Sequence, residues 1–362
     1  MTQTPKIEKL SWRLIEYPLP GTVGGSGVAK VDVITCQIHA QGGLSGFGFS
    51  YAIGGRGYAS AVAGQALAKE VLDGQAIPHP ETAWAKVRRL CNRTGMGPNY
   101  VGYAAADVAL WDLYAKLLNL PLAMAMGGAA RAVPVYGSGG YKPGQPAELV
   151  TEQVEQHLAQ GFGAIKLRLA GNPSDQSILR AAADALGANG WLMADLNEKT
   201  SLPQARYVLD QVQAHGGLFV EEPLPSTDIA GYRALRESHG GMVATGEHFQ
   251  GIEQARGFIS DGLCATIQPD LAMIGGLTES LRILRVAEAF GCELTPHFLP
   301  GLFVHLAATS PALTWLEDFP LLEPLFDGWP SLAADGTLAP GDRPGHGLSL
   351  SEFGIELETR NL

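Results

Sequence analysis

The chain has 362 residues, of which 46% are hydrophobic and 17% charged, and its formal net charge is −11. That length and apolar share suit one large domain or two ordinary ones around a sizeable core, and exclude a disordered chain. The acidic balance argues against a nucleic-acid surface, which needs clustered Lys and Arg. It leaves anionic substrates open, because a bound cation reverses the local field.

The N-terminus MTQTPKIEKLSW carries no apolar secretory core, and no apolar run reaches the roughly 18 residues that span a bilayer. A cytoplasmic protein with no membrane partner is expected. Cys36, Cys91, Cys264 and Cys292 form no CxxC pair, so they are expected as reduced, buried thiols.

Residues 1–125 open with KVDVITCQIHA and LSGFGFSYA, whose period-two alternation between glycines predicts antiparallel strands. The segments YASAVAGQALAKEVL, PETAWAKVRRLC and AAADVALWDLYAKLL follow with helical spacing. This part reads as an α+β capping domain. From 126 to 320 the texture changes. Short apolar runs alternate with helical stretches such as AELVTEQVEQHLAQGF and GLTESLRILRVAEAFG. The runs are AVPVYGS (132–138), AIKLRLA (164–170), WLMADLN (191–197), LFVEEPL (218–224), MVATGEH (242–248), CATIQPD (264–270), CELTPHF (292–298) and ALTWLED (312–318). Continuous apolar strands alternating with helices predict a covered parallel sheet, and this number closes a (β/α)8-type barrel. The last unit is irregular, which leaves room for a modified (β/α)7β form. Residues 321–362 are too few to fold alone and are expected to pack back on the capping domain.

In such barrels the active site lies at the C-terminal ends of the strands. The polar residues of this chain fall there: Ser138, Lys166, Arg168, Asp195, Asn197, Glu221, Glu247, Asp270, His297 and Glu317. Asp195, Glu221 and Glu247 come from three successive strands. Converging carboxylates repel unless a cation neutralises them, and an all-oxygen set points to Mg2+, with Mn2+ as the other choice. A single acid there would more often be a helix cap; three in series favour a metal. Lys166 and Arg168, two apart on one strand, face the same way and need anions around them. Asp270 beside His297 would set the tautomer and basicity of the imidazole. Glu317, if protonated, could donate to a substrate oxygen gaining charge.

As an ordered set, Lys166 and Arg168 in IKLRL, Asp195 in MADLN, Glu221 in VEEP, Glu247 in GEHF, Asp270 in QPDLAMIGG, His297 in TPHF and Glu317 in WLED resemble the enolase superfamily, mandelate racemase subgroup. The resemblance implies a capping domain, Mg2+ held by Asp195, Glu221 and Glu247, and a base dyad of His297 with Asp270. It implies removal of the α-proton of a hydroxy acid to give a metal-stabilised enediolate. Lys166 and Glu317 would serve the substrate carboxylate, with Asn197 and Ser138 as further substrate contacts. It also implies a homo-oligomer and a small hydroxy acid or acid sugar as the partner.

One departure stands out. The subgroup commonly has Lys-x-Lys where this chain has Lys166-x-Arg168. Arginine keeps its proton, so position 168 suits a clamp rather than a base. With His297 as the remaining base, an acid-sugar dehydratase giving a 2-keto-3-deoxy acid is expected. The alternatives are a racemase or epimerase and an inactive sugar-acid-binding homologue. Two Gly-rich stretches, PLPGTVGGSGV near 18–28 and YAIGGRGYA at 51–59, are expected to cover the site, with Tyr51 and Arg56 reaching a distal carboxylate or hydroxyl.

Overall fold

The computed structural model describes residues 4–19, 28–357 and 359–362. The chain starts with an antiparallel sheet: β1 (Ile7–Pro18), β2 (Lys30–Ala40) and β3 (Ser45–Ile53). Strand β1 was missed in the sequence, because the polar residues of KIEKLSWRLIEY hide a strand with one solvated face. Helices α1 (Gly57–Leu72), α2 (Pro80–Thr94), α3 (Gly97–Leu117) and the short α4 (Leu122–Ala125) follow. Helix α3 lies directly on β3. A Cβ on Gly48 would sit 2.2 Å from the backbone nitrogen of Ala109, so the alternating glycines of SGFGF permit the approach.

The barrel runs β4 (Val133–Gly137), α5 (Ala147–Ala159), β5 (Ala164–Arg168), α6 (Asp175–Leu186), β6 (Trp191–Asp195), α7 (Leu202–Ala214), β7 (Val220–Glu221) and α8 (Ile229–His239). It continues through β8 (Val243–Thr245), α9 (Ile252–Ser260), β9 (Thr266–Ile267), α10 (Leu271–Ile274), α11 (Leu277–Phe290), β10 (Glu293–Leu294), α12 (Pro300–Ala307) and β11 (Leu316–Asp318). Neighbouring strands pair in parallel from β10 through β4, and β11 pairs β4 on its other side. Leu294 bridges Leu313, and the Leu294 and Thr314 amides donate to Ala312 and Leu294 carbonyls at 2.8 and 3.1 Å. These bonds close the ring. Among the described residues no helix directly after β11 covers it, so the barrel is of the (β/α)7β kind anticipated above.

Beyond it come β12 (Phe326–Asp327), β13 (Thr337–Leu338), β14 (Ser349–Leu350), α13 (Glu352–Glu356) and β15 (Thr359–Asn361). Strand β15 pairs antiparallel with β1, so the tail returns to the first sheet. Helix α3 ties that sheet to the barrel through buried polar contacts. Asp107 accepts from the Thr278 amide at 2.8 Å and its hydroxyl at 2.6 Å, and Trp111 Nε1 donates to Thr278 Oγ1 at 2.9 Å. Among the described residues no helix is long and apolar enough to cross a membrane, and the four cysteines are buried and free.

Candidate active site

Most barrel strands are apolar until their ends, where a polar side chain enters the mouth; β5 differs, carrying Lys166 at its middle and Arg168 at its end. Several of these strand-end turns use left-handed backbone at residues other than glycine. Asn197, Glu198, Glu222, Phe298 and Leu299 have φ of 45°, 59°, 42°, 59° and 51°. Such conformations cost about 1–3 kcal/mol each and collect at functional sites. Gly246 has φ 139°, and a Cβ there would press the Gln268 backbone nitrogen at 3.0 Å. Glycine at this point lets the chain present Glu247.

Lys166 is 1% exposed and lies between two carboxylates, donating to Glu221 and to Glu317 Oε1, the latter at 2.7 Å. Burial would discharge the ammonium, yet Glu221 and Glu317 hold its pKa well above the usual lysine value. Glu317 also accepts from Ser138 Oγ at 2.6 Å and the Phe298 amide at 2.9 Å. Burial pushes the Glu317 carboxyl up, but Lys166 and then His297 outweigh it and hold it at about 2. In each of these contacts Glu317 accepts; the donor role expected from the sequence is not seen among them. The Ser138 hydroxyl, expected on a substrate, is directed to Glu317.

Asp195 ends β6, Glu221 ends β7 and Glu247 follows β8, close enough for their charges to interact, although their oxygens do not all lie within 4.8 Å of one another. The Asp195 oxygens accept from the Asn197 amide and side-chain nitrogens at 2.7 and 2.8 Å, so Asn197 is engaged in orienting Asp195. Glu221 Oε2 accepts from Gln268 Nε2 at 2.9 Å, while its Oε1 is buried without a partner among the described residues. Burial, then Asp195 and Glu247, push Glu221 up to about 8 against the pull of Lys166. Asp195 is also raised, by burial first, with Lys166 opposing and Glu247 reinforcing. The adjacent Glu222 is raised further, to about 12, by burial and then by Glu247, Asp195, Glu221 and Glu198. A crowd of acids forced towards protonation, one with an orphaned oxygen, is the environment a hard divalent cation relieves. The residues present fit such an ion. Among the described residues, the set whose donor atoms all lie within 4.8 Å of one another is Glu198, Glu222 and His248, beside these acids. It contains an imidazole already bound to Glu222, which suits Mg2+ less well than the all-carboxylate set.

Asp270 and His297 stand at the ends of neighbouring strands, joined by a parallel bridge. Asp270 Oδ1 caps α10, accepting from the Ala272 and Met273 amides, both at 2.9 Å. Its Oδ2 meets His297 Nδ1 at 2.8 Å. The same oxygen accepts from Tyr51 of β3, so Tyr51 braces the dyad instead of reaching a distal substrate group. His297 Nε2 lies 3.2 Å from Glu247 Oε2. Burial opposes the imidazolium, but Glu247, the Asp270 hydrogen bond and Glu317 raise it to about 10.

Two adjoining hollows open above these groups and share Ile53, Glu247, His248 and His297. One, of about 480 Å³, is walled by β3 and α1 and includes exposed Arg56 and buried Gly55. The other, of about 310 Å³, is lined by Arg168, Asn197, Lys199 and Phe319. The Arg168 guanidinium lies over the Phe319 ring, 5.3 Å from its centre. The 51–59 stretch thus covers the site as expected; residues 20–27 of the other Gly-rich stretch lie outside the described residues. Glu222, His248 and Gln268 received no role from sequence reasoning. The doubled acid in VEEP was the one signal for Glu222.

A family model described as Mandelate racemase / muconate lactonizing enzyme, N-terminal domain, matches residues 13–127, and one described as Enolase C-terminal domain-like matches 149–353. The chain is 32% identical over 363 residues to the L-talarate/galactarate dehydratase of Salmonella typhimurium, covering 96% of this chain and 89% of that protein. It is 28% identical over 351 residues to the 3,6-anhydro-alpha-L-galactonate cycloisomerase of Streptomyces coelicolor, covering 95% of this chain and 97% of that one. Among solved structures, L-talarate dehydratase from Polaromonas sp. JS666, complexed with Mg and L-glucarate, superposes with TM-score 0.90 at 28% identity, covering 99% of both chains.

Proposed function

We propose, from the premise that the chain belongs to the mandelate racemase and muconate lactonizing enzyme family of the enolase superfamily, that it is a Mg2+-dependent acid-sugar dehydratase. The relatives named dehydratases, one of them complexed with Mg and L-glucarate, support the hydro-lyase class and the cofactor. The observation that carries the reading is the facing of His297, backed by Asp270, against a cluster of buried carboxylates with Lys166 at its centre.

Asp195, Glu221 and Glu247 would hold Mg2+. When bound, the ion supplies positive charge that binds the substrate carboxylate and acidifies its α-proton. Lys166, kept cationic by Glu221 and Glu317, adds a fixed positive charge in a site shielded from water. Glu317 orients Lys166 and is itself held by Ser138 and the Phe298 amide. His297 receives the α-proton on Nε2. Its Nδ1–H stays on Asp270, which fixes the tautomer. With Glu247 holding the cation, the largest pull that raises the imidazolium would be reduced, so that His297 could act as a base. The same imidazolium can then return its proton to the departing β-hydroxyl, giving water and an enol that becomes a 2-keto-3-deoxy acid.

Arg168 supports dehydration over racemisation. Racemisation needs a base on each face of the α-carbon, and a permanently charged guanidinium stacked on Phe319 suits an anionic or hydroxyl-bearing group. The test is a screen of acid sugars with Mg2+, monitored for semicarbazide-reactive product and for optical rotation. Keto-acid formation is expected. A change of rotation without any ketone would establish the racemase reading instead.

A further inference from the structure

Deepening that reading, the geometry points to His248 as the residue that reads a substrate hydroxyl beyond the two reacting carbons. It follows Glu247 in sequence and lines both hollows. Its Nδ1 lies 2.8 and 3.0 Å from the two oxygens of Glu222, which is itself 0% exposed. A side chain pinned at one ring nitrogen by a buried carboxylate has a fixed ring plane. The side chain is 46% exposed, and no described residue is hydrogen-bonded to Nε2. A ring held by a buried partner, with its other nitrogen unbonded among the described residues at a cavity junction, is the arrangement of a specificity contact.

The neighbourhood fixes the kind of group it takes. Glu222, Glu198 and Glu247 surround Nδ1 at 2.8, 3.9 and 3.6 Å. The ring lines hollows whose cationic side chains, His297 of the dyad apart, are Lys199 and Arg168, beside Asn197, on one side and Arg56 on the other. The cations can receive a distal carboxylate. The imidazole, able to donate or accept, is suited to a neutral hydroxyl between the reacting end and that carboxylate. A six-carbon polyhydroxy diacid has such hydroxyls on its fourth and fifth carbons. A four-carbon dihydroxy diacid has none.

The test rests on the dehydratase reading and separates the two. Galactarate and tartrate are used as probes, with Mg2+, on the His297→Asn background, where binding is measured by calorimetry without turnover. His248→Ala should weaken galactarate by about 10-fold, the upper range for one hydrogen bond to a neutral group, and leave tartrate within about 2-fold. His248→Gln, which keeps a polar terminus, should recover most of the loss. In the otherwise native chain, the effect should fall on KM more than kcat. Equal weakening of both acids, or a matching loss of Mg2+ affinity, would place His248 in the metal site and overturn the inference, as would unchanged galactarate binding. If the native chain with Mg2+ binds tartrate and turns over neither acid nor any other sugar acid, the dehydratase reading fails separately.

Discussion

Asp270→Asn gives the sharpest test of the proposed proton chemistry. Asparagine caps a helix as well as aspartate does, so Oδ1 can keep the Ala272 and Met273 amides and the fold should persist. What changes is Oδ2. It loses its charge and becomes an amide nitrogen facing His297 Nδ1, 2.8 Å away, and the Tyr51 hydroxyl. A charged hydrogen bond contributes about 1.5–3 kcal/mol, which corresponds to roughly 10- to 150-fold in kcat/KM. Removing a carboxylate that raises His297 also lowers the imidazole pKa. A base works when deprotonated, so the acid limb of the kcat/KM profile should move to lower pH. The assay is keto-acid formation, across pH, from the acid sugar that the screen identifies, with thermal melts confirming the fold. A folded variant with kcat/KM within about 2-fold of the native value and an unmoved acid limb would refute the dyad.

His297→Asn should abolish keto-acid formation while retaining Mg2+ binding by calorimetry; loss of both would mean the residue is structural. Gly246→Ala forces a Cβ onto backbone at φ 139° with 3.0 Å to Gln268 nitrogen, and should cost about 1–3 kcal/mol in urea melts and weaken Mg2+ binding through Glu247. An unchanged melt would show that the turn yields freely. Buried His305 is pushed down from its ordinary 6.5 to about 3, by burial and then by His346. The unfolded chain therefore binds a proton between about pH 6.5 and 3 that the folded chain refuses, and stability falls as pH drops through that window. His305→Leu should flatten this acid loss by up to ~1.4 kcal/mol per pH unit, read from urea melts at pH 7 and 5; parallel profiles would contradict it. Chelation of Mg2+ should stop turnover and lower the melting temperature, since a ligand bound only by the folded state stabilises it; an unshifted melt would argue against a site in the folded mouth.

The barrel was legible because its strands are buried on both faces and read as unbroken apolar runs. The runs overstate the pairing: LFVEEPL contributes only Val220–Glu221 to β7, and CATIQPD only Thr266–Ile267 to β9, because the polar ends leave the sheet to build the mouth. Helix α1 was visible nearly to the residue, whereas α3 begins at Gly97, ahead of the Ala-rich segment that announced it. In the site, identities were readable where one strand end supplies one group. Pairings were not. That Ser138 serves Glu317, that Tyr51 serves Asp270, and that Glu222 holds His248 depends on which strand ends meet, and spacing along the chain carries no trace of it.

Tyr51 belongs to the first sheet and the dyad it braces belongs to the barrel. The proposed proton-transfer apparatus would thus be divided between two segments that the chain must bring together. A barrel expressed alone would retain its acids and His297 yet lose a donor to Asp270. In a chimaera given a foreign lid, the tuning of the base would travel with the lid, so exchanging covers to change substrate preference would also reset the working pH.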